Sequence, residues 1–352
     1  MLSNTQVMIV DDTLREGLQT PGISFKIEEK LKLAELISNS GIKTAMVSYP
    51  SAHSSEINIT KEIMKRRYFN EVFALGRTTI EDIKTIYDTG ANISLHLPFK
   101  IKDKNKIFEA IKYASKMDRI LEVGIVNITE YNINDLVKLA KNIEINGAQR
   151  IQIADTLGKA TPRIINNLIK ELKNNISIPI TIHLHNDIGL AIANAISAVN
   201  AKVDFIDTTI FGFGERNGIV DTLIFYTYLK NELGNVKLNE TELLRAYTYL
   251  ESLIVEKIGY KAFLDNFPIY GKNIQINTAG THVAFKRNEY SINVYTGKNM
   301  IKKILEENNL NLDEEKLINL VNKIKDMAVE SGRVLTEIDV LNLARELYDK
   351  GY

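Results

Sequence analysis

Short runs of apolar, often β-branched residues alternate with longer amphipathic segments from the N-terminus to about residue 235. Short apolar runs bounded by polar residues are typical of buried strands, and the longer segments space their apolar residues as helices do. Eight strands, each followed by a helix, predict an α/β fold of the (β/α)8 TIM barrel type rather than an open doubly wound sheet. The predicted strands are Val7–Val10, Thr44–Ser48, Val72–Leu75, Ile93–Leu97, Leu121–Val126, Arg150–Ala154, Ile178–Leu184 and Val203–Thr208.

The pattern changes after about residue 235, where the strand-like runs stop and helix-like segments follow one another. Leu243–Ile258, Glu314–Ser331 and Glu337–Leu347 all space their apolar residues with a helical period. We therefore predict two parts of the chain. Residues 1–235 would form a catalytic barrel, and residues 236–352 would form a helical C-terminal region.

Charge and composition exclude several classes of protein. Lys+Arg and Asp+Glu both number 44, so the formal net charge is zero, and no basic stripe indicates a nucleic-acid partner. The absence of cysteine excludes disulfides, thiolate metal sites and cysteine nucleophiles. No apolar run has the length of a transmembrane helix, and Met1–Gln6 lacks the features of a signal peptide. We expect a cytoplasmic protein whose partners are small molecules or another copy of the chain.

The end of the seventh predicted strand carries two histidines, His183 and His185, two residues apart. Residues at this spacing face the same side of a strand, so their imidazoles form a nitrogen pair suited to a divalent metal ion. Asn186 and Asp187 follow directly and could orient the two rings. Because a same-face pair is less often incidental than a lone histidine, we interpret it as a metal site.

Charged residues also cluster where the first strand ends. The segment contains Asp11, Asp12, Arg15 and Glu16, and in a TIM barrel the C-terminal ends of the strands form the active-site face. By itself the segment is equally compatible with a surface turn that holds an ion pair. If it is functional, one of its carboxylates would complete the metal site.

Five segments of the chain together resemble the metal-dependent barrel family that contains homocitrate synthase, 2-isopropylmalate synthase, citramalate synthase and the hydroxymethylglutaryl-CoA lyases. The resemblance covers essentially the whole chain and is closest to homocitrate synthase. In chain order the segments are Thr13–Gly17 with Gln19–Gly22, Ala154–Gly158 with Ala160–Pro162, His183–Asp187 with Gly189, Gly214–Gly218, and Ala279–His282.

The resemblance implies a divalent metal ion, Zn²⁺, Mn²⁺, Mg²⁺ or Co²⁺, held by Glu16, His183 and His185. The keto and carboxylate oxygens of a 2-oxo acid would complete its coordination. Arg15 would lie beside the keto oxygen as a catalytic and substrate-binding residue, and Thr156 would contact the substrate carboxylate. A metal ion and an arginine on one keto oxygen stabilise the alkoxide that forms when a carbanion attacks.

Further catalytic and substrate-binding residues are implied by the same resemblance. His282 would act in acid–base chemistry, in this family often from the other subunit, so the helical C-terminal region would form a catalytic lid on a dimer partner. Glu215 and Tyr290 match further catalytic positions. Arg77 and His96 are candidates for substrate binding. The resemblance thus also implies a homodimer with shared active sites.

Two positions favour homocitrate synthase within the family. Isopropylmalate synthases usually carry Asp where this chain has Glu16, and Asn where it has Ile219. The implied activity is that of an acyltransferase of amino-acid biosynthesis, which condenses acetyl-CoA with a 2-oxo acid by Claisen-type carbon–carbon bond formation and releases CoA. The alternatives are an isopropylmalate or citramalate synthase, a carbon–carbon lyase or aldolase using the same metal site, and a non-catalytic metabolite-binding barrel.

Two departures from the family pattern leave the identity of the oxo acid open. Met46 stands where these enzymes normally have a glutamate. Gly124 stands at about the position of the arginine with which homocitrate synthases pair the distal carboxylate of 2-oxoglutarate. Losing that partner would leave a buried carboxylate unpaired, at a cost on the order of several kcal/mol. The reaction core is therefore intact, while the pocket for the side chain of the oxo acid has changed.

Overall fold

The computed structural model of the chain describes residues 7–20, 22–234, 236–259, 267–270, 276–277, 289–290, 292, 296–331 and 335–349. Eight strands follow one another along the first two of these ranges: β1 (Met8–Asp11), β2 (Thr44–Ser48), β3 (Glu71–Arg77), β4 (Asn92–His96), β5 (Leu121–Ile125), β6 (Arg150–Asp155), β7 (Ile180–Leu184) and β8 (Phe205–Thr208). All are parallel and pair in chain order, and β8 pairs with β1 to close the barrel. The predicted (β/α)8 barrel is confirmed.

A helix follows each strand and covers the outside of the barrel. The helices are α1 (Ile27–Asn39), α2 (Ser54–Arg66), α3 (Ile80–Tyr87), α4 (Lys104–Ala114), α5 (Ile133–Ile145), α6 (Pro162–Asn175), α7 (Ala191–Asn200) and α8 (Thr222–Glu232). Several begin at a polar residue that caps the first turn. The side chains of Thr79, Asn132 and Asp221 accept hydrogen bonds from backbone N–H groups at the starts of α3, α5 and α8.

A buried cation fills the end of the lumen where the strands begin. The guanidinium carbon of Arg150 lies 3.8 Å from the ring centroid of Phe205 and 4.8 Å from that of Phe73. Its Nη2 donates to Oε2 of Glu71 at 2.8 Å. Stacking and pairing offset the cost of burying the guanidinium. This packing leaves the opposite end, where the strands finish, for the active site.

The chain divides into two compact units, Met1–Lys261 and Ala262–Tyr352. The first unit extends beyond residue 235 because a ninth helix, α9 (Glu240–Ile258), packs against α1. Nζ of Lys257 in α9 lies 2.8 Å from Oε2 of Glu29 in α1. Helix α9 therefore belongs to the barrel unit and not, as the sequence pattern suggested, to the C-terminal region.

The described part of the second unit is mainly helical, as the sequence predicts. It contains α10 (Lys298–Glu307), α11 (Glu314–Ser331) and α12 (Glu337–Asp349), and a short parallel strand pair, Ile276–Asn277 with Glu289–Tyr290. None of the described helices has the combination of length and apolar character that a membrane span requires. The three helices pack around an apolar core of their own that includes Met300, Ile301, Ile304, Leu320, Ile324 and Val340.

Candidate metal centre and active site

The turn after β1 carries two of the predicted site residues, Arg15 and Glu16. Their backbone N–H groups donate to the carbonyl oxygen of Asp12 at 3.2 and 2.8 Å, which closes a tight turn where the strand ends. The hydroxyl of Thr13 accepts from the backbone N–H of Ile210 at 3.0 Å and ties this turn to the segment after β8. Both charged side chains are buried.

His183 lies in β7 and His185 directly follows the strand, and both side chains are buried. Their ring centroids are 5.1 Å apart, and Nε2 of His183 lies 4.0 Å from Oε2 of Glu16. One donor atom from each of these three residues lies within 4.8 Å of the other two. The structure therefore brings the predicted metal triad together, as one oxygen and two nitrogen donors of the kind that bind a divalent transition metal.

The protonation states of the triad suit a metal ion. Burial opposes ionisation of Glu16, but the adjacent Arg15 guanidinium, the two histidines and the backbone N–H of Glu215 together outweigh it and lower the pKa of that carboxyl to about 2. Burial lowers the pKa of both His183 and His185 to about 4. Near neutral pH the carboxylate is thus an anion and both imidazoles are neutral. Nδ1 of His185 is buried and has no hydrogen-bond partner among the described residues, so it is available to a ligand.

Arg15 is held between two carboxylates. Its Nε donates to Oδ1 of Asp12 at 3.0 Å, its Nη2 donates to the other oxygen of the same carboxylate, and its Nη1 donates to Oε2 of Glu16 at 2.6 Å. The bidentate pair fixes the plane of the guanidinium. Glu16 is held further by Nε2 of Gln19, at 2.9 Å, and by the backbone N–H of Glu215, at 2.8 Å.

A carboxylate that the sequence analysis did not assign lies behind the triad. Oδ2 of Asp207, in β8, lies 3.0 Å from Nδ1 of His183 and accepts from Nε2 of Gln152 at 2.8 Å. Burial raises the pKa of Asp207, and likewise that of Asp12, whose Oδ2 lies 3.6 Å from the same Nδ1. Asp207 is an acidic residue inside a predicted buried strand, and this was the signal that could have identified it.

Arg216 joins the loops around the mouth of the barrel. Its Nε donates to Oδ1 of Asp187 at 2.7 Å, and its Nη2 donates to the carbonyl oxygen of Thr156 at 2.6 Å. The hydroxyl of Thr156, the predicted carboxylate contact, accepts from the backbone N–H of Asn127 at 2.8 Å. The loops that follow β5, β6, β7 and β8 are thereby connected at the active-site face.

His96 ends β4 and is paired with Gly124 of β5. Burial lowers the pKa of His96 to about 3, so its ring is neutral. A Cβ added at Gly124 would lie 2.5 Å from Cδ2 of His96 and 3.1 Å from Oε1 of Gln152. Because Gln152 donates to Asp207, which contacts His183, the structure brings His96 close to the metal triad.

Two other predicted residues are engaged elsewhere. Arg77, at the end of β3, is 64% exposed, and its Nε and Nη2 donate to Asp82 of α3 at 3.0 and 2.8 Å. The structure thus directs Arg77 away from the lumen. Glu215 reaches Glu16 only through its backbone N–H, while its side chain lies 2.9 Å from Nη1 of Arg216.

His282 and the side chain of Tyr290 lie outside the described residues. The backbone of Tyr290 forms part of the short strand Glu289–Tyr290. The acid–base roles of these two residues stay predictions.

The model of one protein family, described as HMGL-like, matches residues 6–249, which contain all eight strands of the barrel. The chain belongs to the HMGL-like family. The matched segment includes Arg15 and every member of the metal triad, so the family that the five motifs indicate is confirmed.

Named relatives of this HMGL-like chain are synthases. A homocitrate synthase of Pyrococcus abyssi is 33% identical over 295 residues, which cover 79% of this chain and 79% of that protein. A probable 2-isopropylmalate synthase of Archaeoglobus fulgidus is 29% identical over 373 residues, 97% of this chain and 73% of that protein. In fold, an HMG-CoA lyase of Bacillus subtilis matches with a TM-score of 0.65 at 18% identity, over 72% of this chain and 95% of that one. The prediction of an enzyme of the synthase type is confirmed. Both homocitrate synthases and 2-isopropylmalate synthases are among the relatives that match this chain.

Proposed function

We propose that this protein is an acyltransferase that condenses acetyl-CoA with a 2-oxo acid and releases CoA. The observation that carries the proposal is the buried triad of Glu16, His183 and His185, with Arg15 bonded to its carboxylate, at the mouth of the barrel. Attack of a carbanion on a keto carbon places negative charge on the keto oxygen. A site that concentrates fixed positive charge at that oxygen lowers the barrier to the reaction.

The residues present fit a divalent metal ion. Glu16 is ionised, both imidazoles are neutral, and Nδ1 of His185 lacks a partner among the described residues. When bound, such an ion would polarise the keto oxygen and stabilise the negative charge that develops there. The two imidazoles favour Zn²⁺, Mn²⁺ or Co²⁺ over Mg²⁺, which prefers oxygen ligands.

Arg15 would bind and orient the oxo acid. A guanidinium has about five N–H donors, and those of Arg15 that bond to Asp12 and Glu16 hold it in one plane. Its remaining donors can meet the keto or carboxylate oxygens of the substrate. The hydroxyl of Thr156 donates only over a long 3.5 Å contact to the carbonyl oxygen of Ala154, so its proton is also available to a carboxylate.

The condensation needs a base that removes a proton from the methyl group of acetyl-CoA. The resulting carbanion attacks the keto carbon, the keto oxygen gains a proton and becomes a hydroxyl, and water cleaves the thioester to release CoA. We assign the proton transfers to His282, with Tyr290 and Glu215 as further candidates, because an imidazole exchanges protons near neutral pH. We expect His282 to act on the site of the partner subunit in a homodimer.

Measurements of CoA release and metal content on the full-length chain test the proposal. Metal-loaded protein should release CoA from acetyl-CoA only when a suitable 2-oxo acid is present. His183→Ala and His185→Ala should each lose most of the bound metal and the activity. His53→Ala is the matched control, because His53 is exposed at the start of α2. The proposal is refuted if no oxo acid supports CoA release, or if the His183 variant keeps its full metal content.

Mixing two inactive variants tests whether the sites are shared. Arg15→Ala lacks the substrate arginine, and His282→Ala lacks the proposed base but should still bind metal. If each site uses residues of both subunits, the mixed dimer contains one intact site and partial activity returns. A mixed dimer that stays inactive would contradict shared sites. Cleavage of a hydroxyacyl-CoA without any condensation would identify a lyase instead.

A further inference from the structure

Strands β4 and β5 line a small part of the lumen that lies beside the metal triad. The carboxylate of Glu122 on β5 accepts hydrogen bonds from Ser94 on β4 at 2.9 Å and from Thr181 on β7 at 2.7 Å, so it points into the lumen. Gly124 lies two residues further along β5 and therefore faces the same side, nearer the mouth. His96, two residues beyond Ser94, pairs with Gly124 across the two strands.

The imidazole of His96 fills the space in front of Gly124. A Cβ added at Gly124 would lie 2.5 Å from Cδ2 and 3.0 Å from Nε2 of His96, and 3.1 Å from Oε1 of Gln152. Gln152 also donates to Asp207, which contacts His183, so this space adjoins the triad. A larger residue at position 124 and the present position of the His96 ring exclude each other.

The buried cations of the described residues are all paired with carboxylates. They are Arg15, Lys30 and Arg150. Arg15 lies against Glu16 at the keto end of the site, and Nζ of Lys30 pairs with Glu56 of α2 at 2.8 Å, outside the barrel. Arg150 stacks on two phenylalanine rings where the strands begin.

The two side chains in contact distance of this space, the imidazole of His96 and the amide of Gln152, carry no charge, and the lumen beside them holds the carboxyl groups of Glu122 and Asp207. Met46 on β2 is apolar and 3% exposed, and it shares a strand face with Thr44, whose hydroxyl reaches Glu71 inside the lumen. The His96 ring is uncharged because burial lowers its pKa to about 3. Arg77, the exposed arginine nearest to His96 in the sequence, donates a hydrogen bond to Asp82. A second carboxylate placed here would be buried near other carboxyl groups, with no unpaired buried cation among the described residues, which disfavours its binding.

We propose that the substrate is a 2-oxo acid with a short, uncharged side chain, of the pyruvate and 2-oxobutanoate class, and that the pair of His96 and Gly124 excludes longer and dicarboxylic oxo acids. This inference rests on the proposed condensation and specifies its substrate. It differs from the 2-oxoglutarate of a homocitrate synthase, whose distal carboxylate needs a second cation.

The first test compares turnover of 2-oxo acids that differ in the length and charge of the side chain. CoA release by the metal-loaded full-length protein is compared for pyruvate, 2-oxobutanoate, oxaloacetate and 2-oxoglutarate. We expect kcat/KM on the order of 100-fold higher for the two uncharged side chains. A dicarboxylic acid as the best substrate overturns this inference and leaves the proposed condensation standing. Absence of CoA release with every acid refutes the condensation itself.

A binding measurement tests the same inference without turnover. The melting temperature of the Mn²⁺-loaded protein is recorded against the concentration of each acid, because a ligand of the folded state raises it. Pyruvate and 2-oxobutanoate should raise it in a saturable way at lower concentration than the dicarboxylic acids do. Half-saturation by 2-oxoglutarate at a lower concentration than by pyruvate overturns the inference, whatever the catalytic result.

A substitution of His96 tests the assigned role of the ring. His96→Ala opens the space in front of Gly124, so the ratio of kcat/KM for 2-oxohexanoate to that for pyruvate should rise about tenfold or more. Bound metal should not change. His53→Ala, with the same change of side chain on the outside of the barrel, should leave the ratio as it is. An unchanged ratio in His96→Ala with full metal content would show that the ring does not limit the length of the side chain.

Discussion

Oδ2 of Asp207 lies 3.0 Å from Nδ1 of His183, and this contact determines which ring nitrogen faces the metal triad. The same oxygen accepts from Nε2 of Gln152, and an ionised Asp207 favours the tautomer of His183 that carries its proton on Nδ1. Nε2 is then unprotonated on the side of Glu16, 4.0 Å from its Oε2. Carboxylates in this position fix the tautomer of a metal-binding histidine and raise its basicity.

Asp207→Asn should weaken the binding of Mn²⁺ or Zn²⁺ about 10- to 100-fold. The amide carries no charge and can turn a donor toward Nδ1 of His183, which removes the support for the metal-binding tautomer. Titration calorimetry of the metal-free protein measures the change. Asp204→Asn is the control, because Asp204 precedes the same strand and pairs with Lys173 away from the triad. Equal affinities in the Asp207 variant and the parent protein would contradict the role of Asp207.

Metal binding should stay strong to lower pH than ordinary histidines allow. Burial lowers the pKa of His183 and His185 from 6.5 to about 4, and a protonated imidazole does not bind a metal ion. The apparent affinity should be nearly constant from about pH 8 to about pH 5.5 and should fall steeply below about pH 5, as both rings gain protons. Competition with a chelator of known pH dependence measures this, with circular dichroism as the check on folding. A decline that begins near pH 6.5 would show that burial does not shift these groups.

Arg150→Met should destabilise the barrel and leave metal binding unchanged. It removes the partner of Glu71 and the stacking on two rings at the far end of the lumen. Because Glu71 is 32% exposed, the loss in the free energy of unfolding should lie at the lower end of the range for a broken buried ion pair, at about 3 kcal/mol. Urea denaturation measures it. Lys32→Met, which breaks an exposed pair with Glu35, should change stability by less than about 1 kcal/mol. Similar losses in both variants would contradict the assigned role.

Gly158→Ala should be more damaging than Gly189→Ala. Both glycines have positive φ, +57° and +74°, so alanine costs about 1–2 kcal/mol at either. A Cβ at Gly158 would lie 2.4 Å from Oδ2 of Asp187, whereas nothing lies within 4 Å of one at Gly189. Gly158→Ala must therefore also displace Asp187 from its pair with Arg216, for a further loss of about 1 kcal/mol or more. Thermal or urea unfolding of the two variants compares these losses directly, and equal values would contradict the prediction.

The strands of the barrel could be predicted because a strand buried on both faces needs a nearly continuous apolar run. Thr44–Ser48 is observed with the predicted bounds. Strand β3 extends from Glu71 to Arg77, beyond the predicted Val72–Leu75, and so includes charged residues at both of its ends. Glu71 is accommodated by Arg150, which is 79 residues away in sequence. No local pattern shows that such a partner exists.

The sequence by itself determined the barrel and the histidine pair, because both depend on periodicity along a single strand. His183 and His185 share a face at any register of β7. Only the tertiary structure decided which groups from other strands meet at the site. It places Asp207 behind His183 and His96 in front of Gly124. These contacts depend on the register between neighbouring strands and on closure of the barrel. Long-range geometry of this kind is set by the packing of the whole domain and leaves no trace in local spacing.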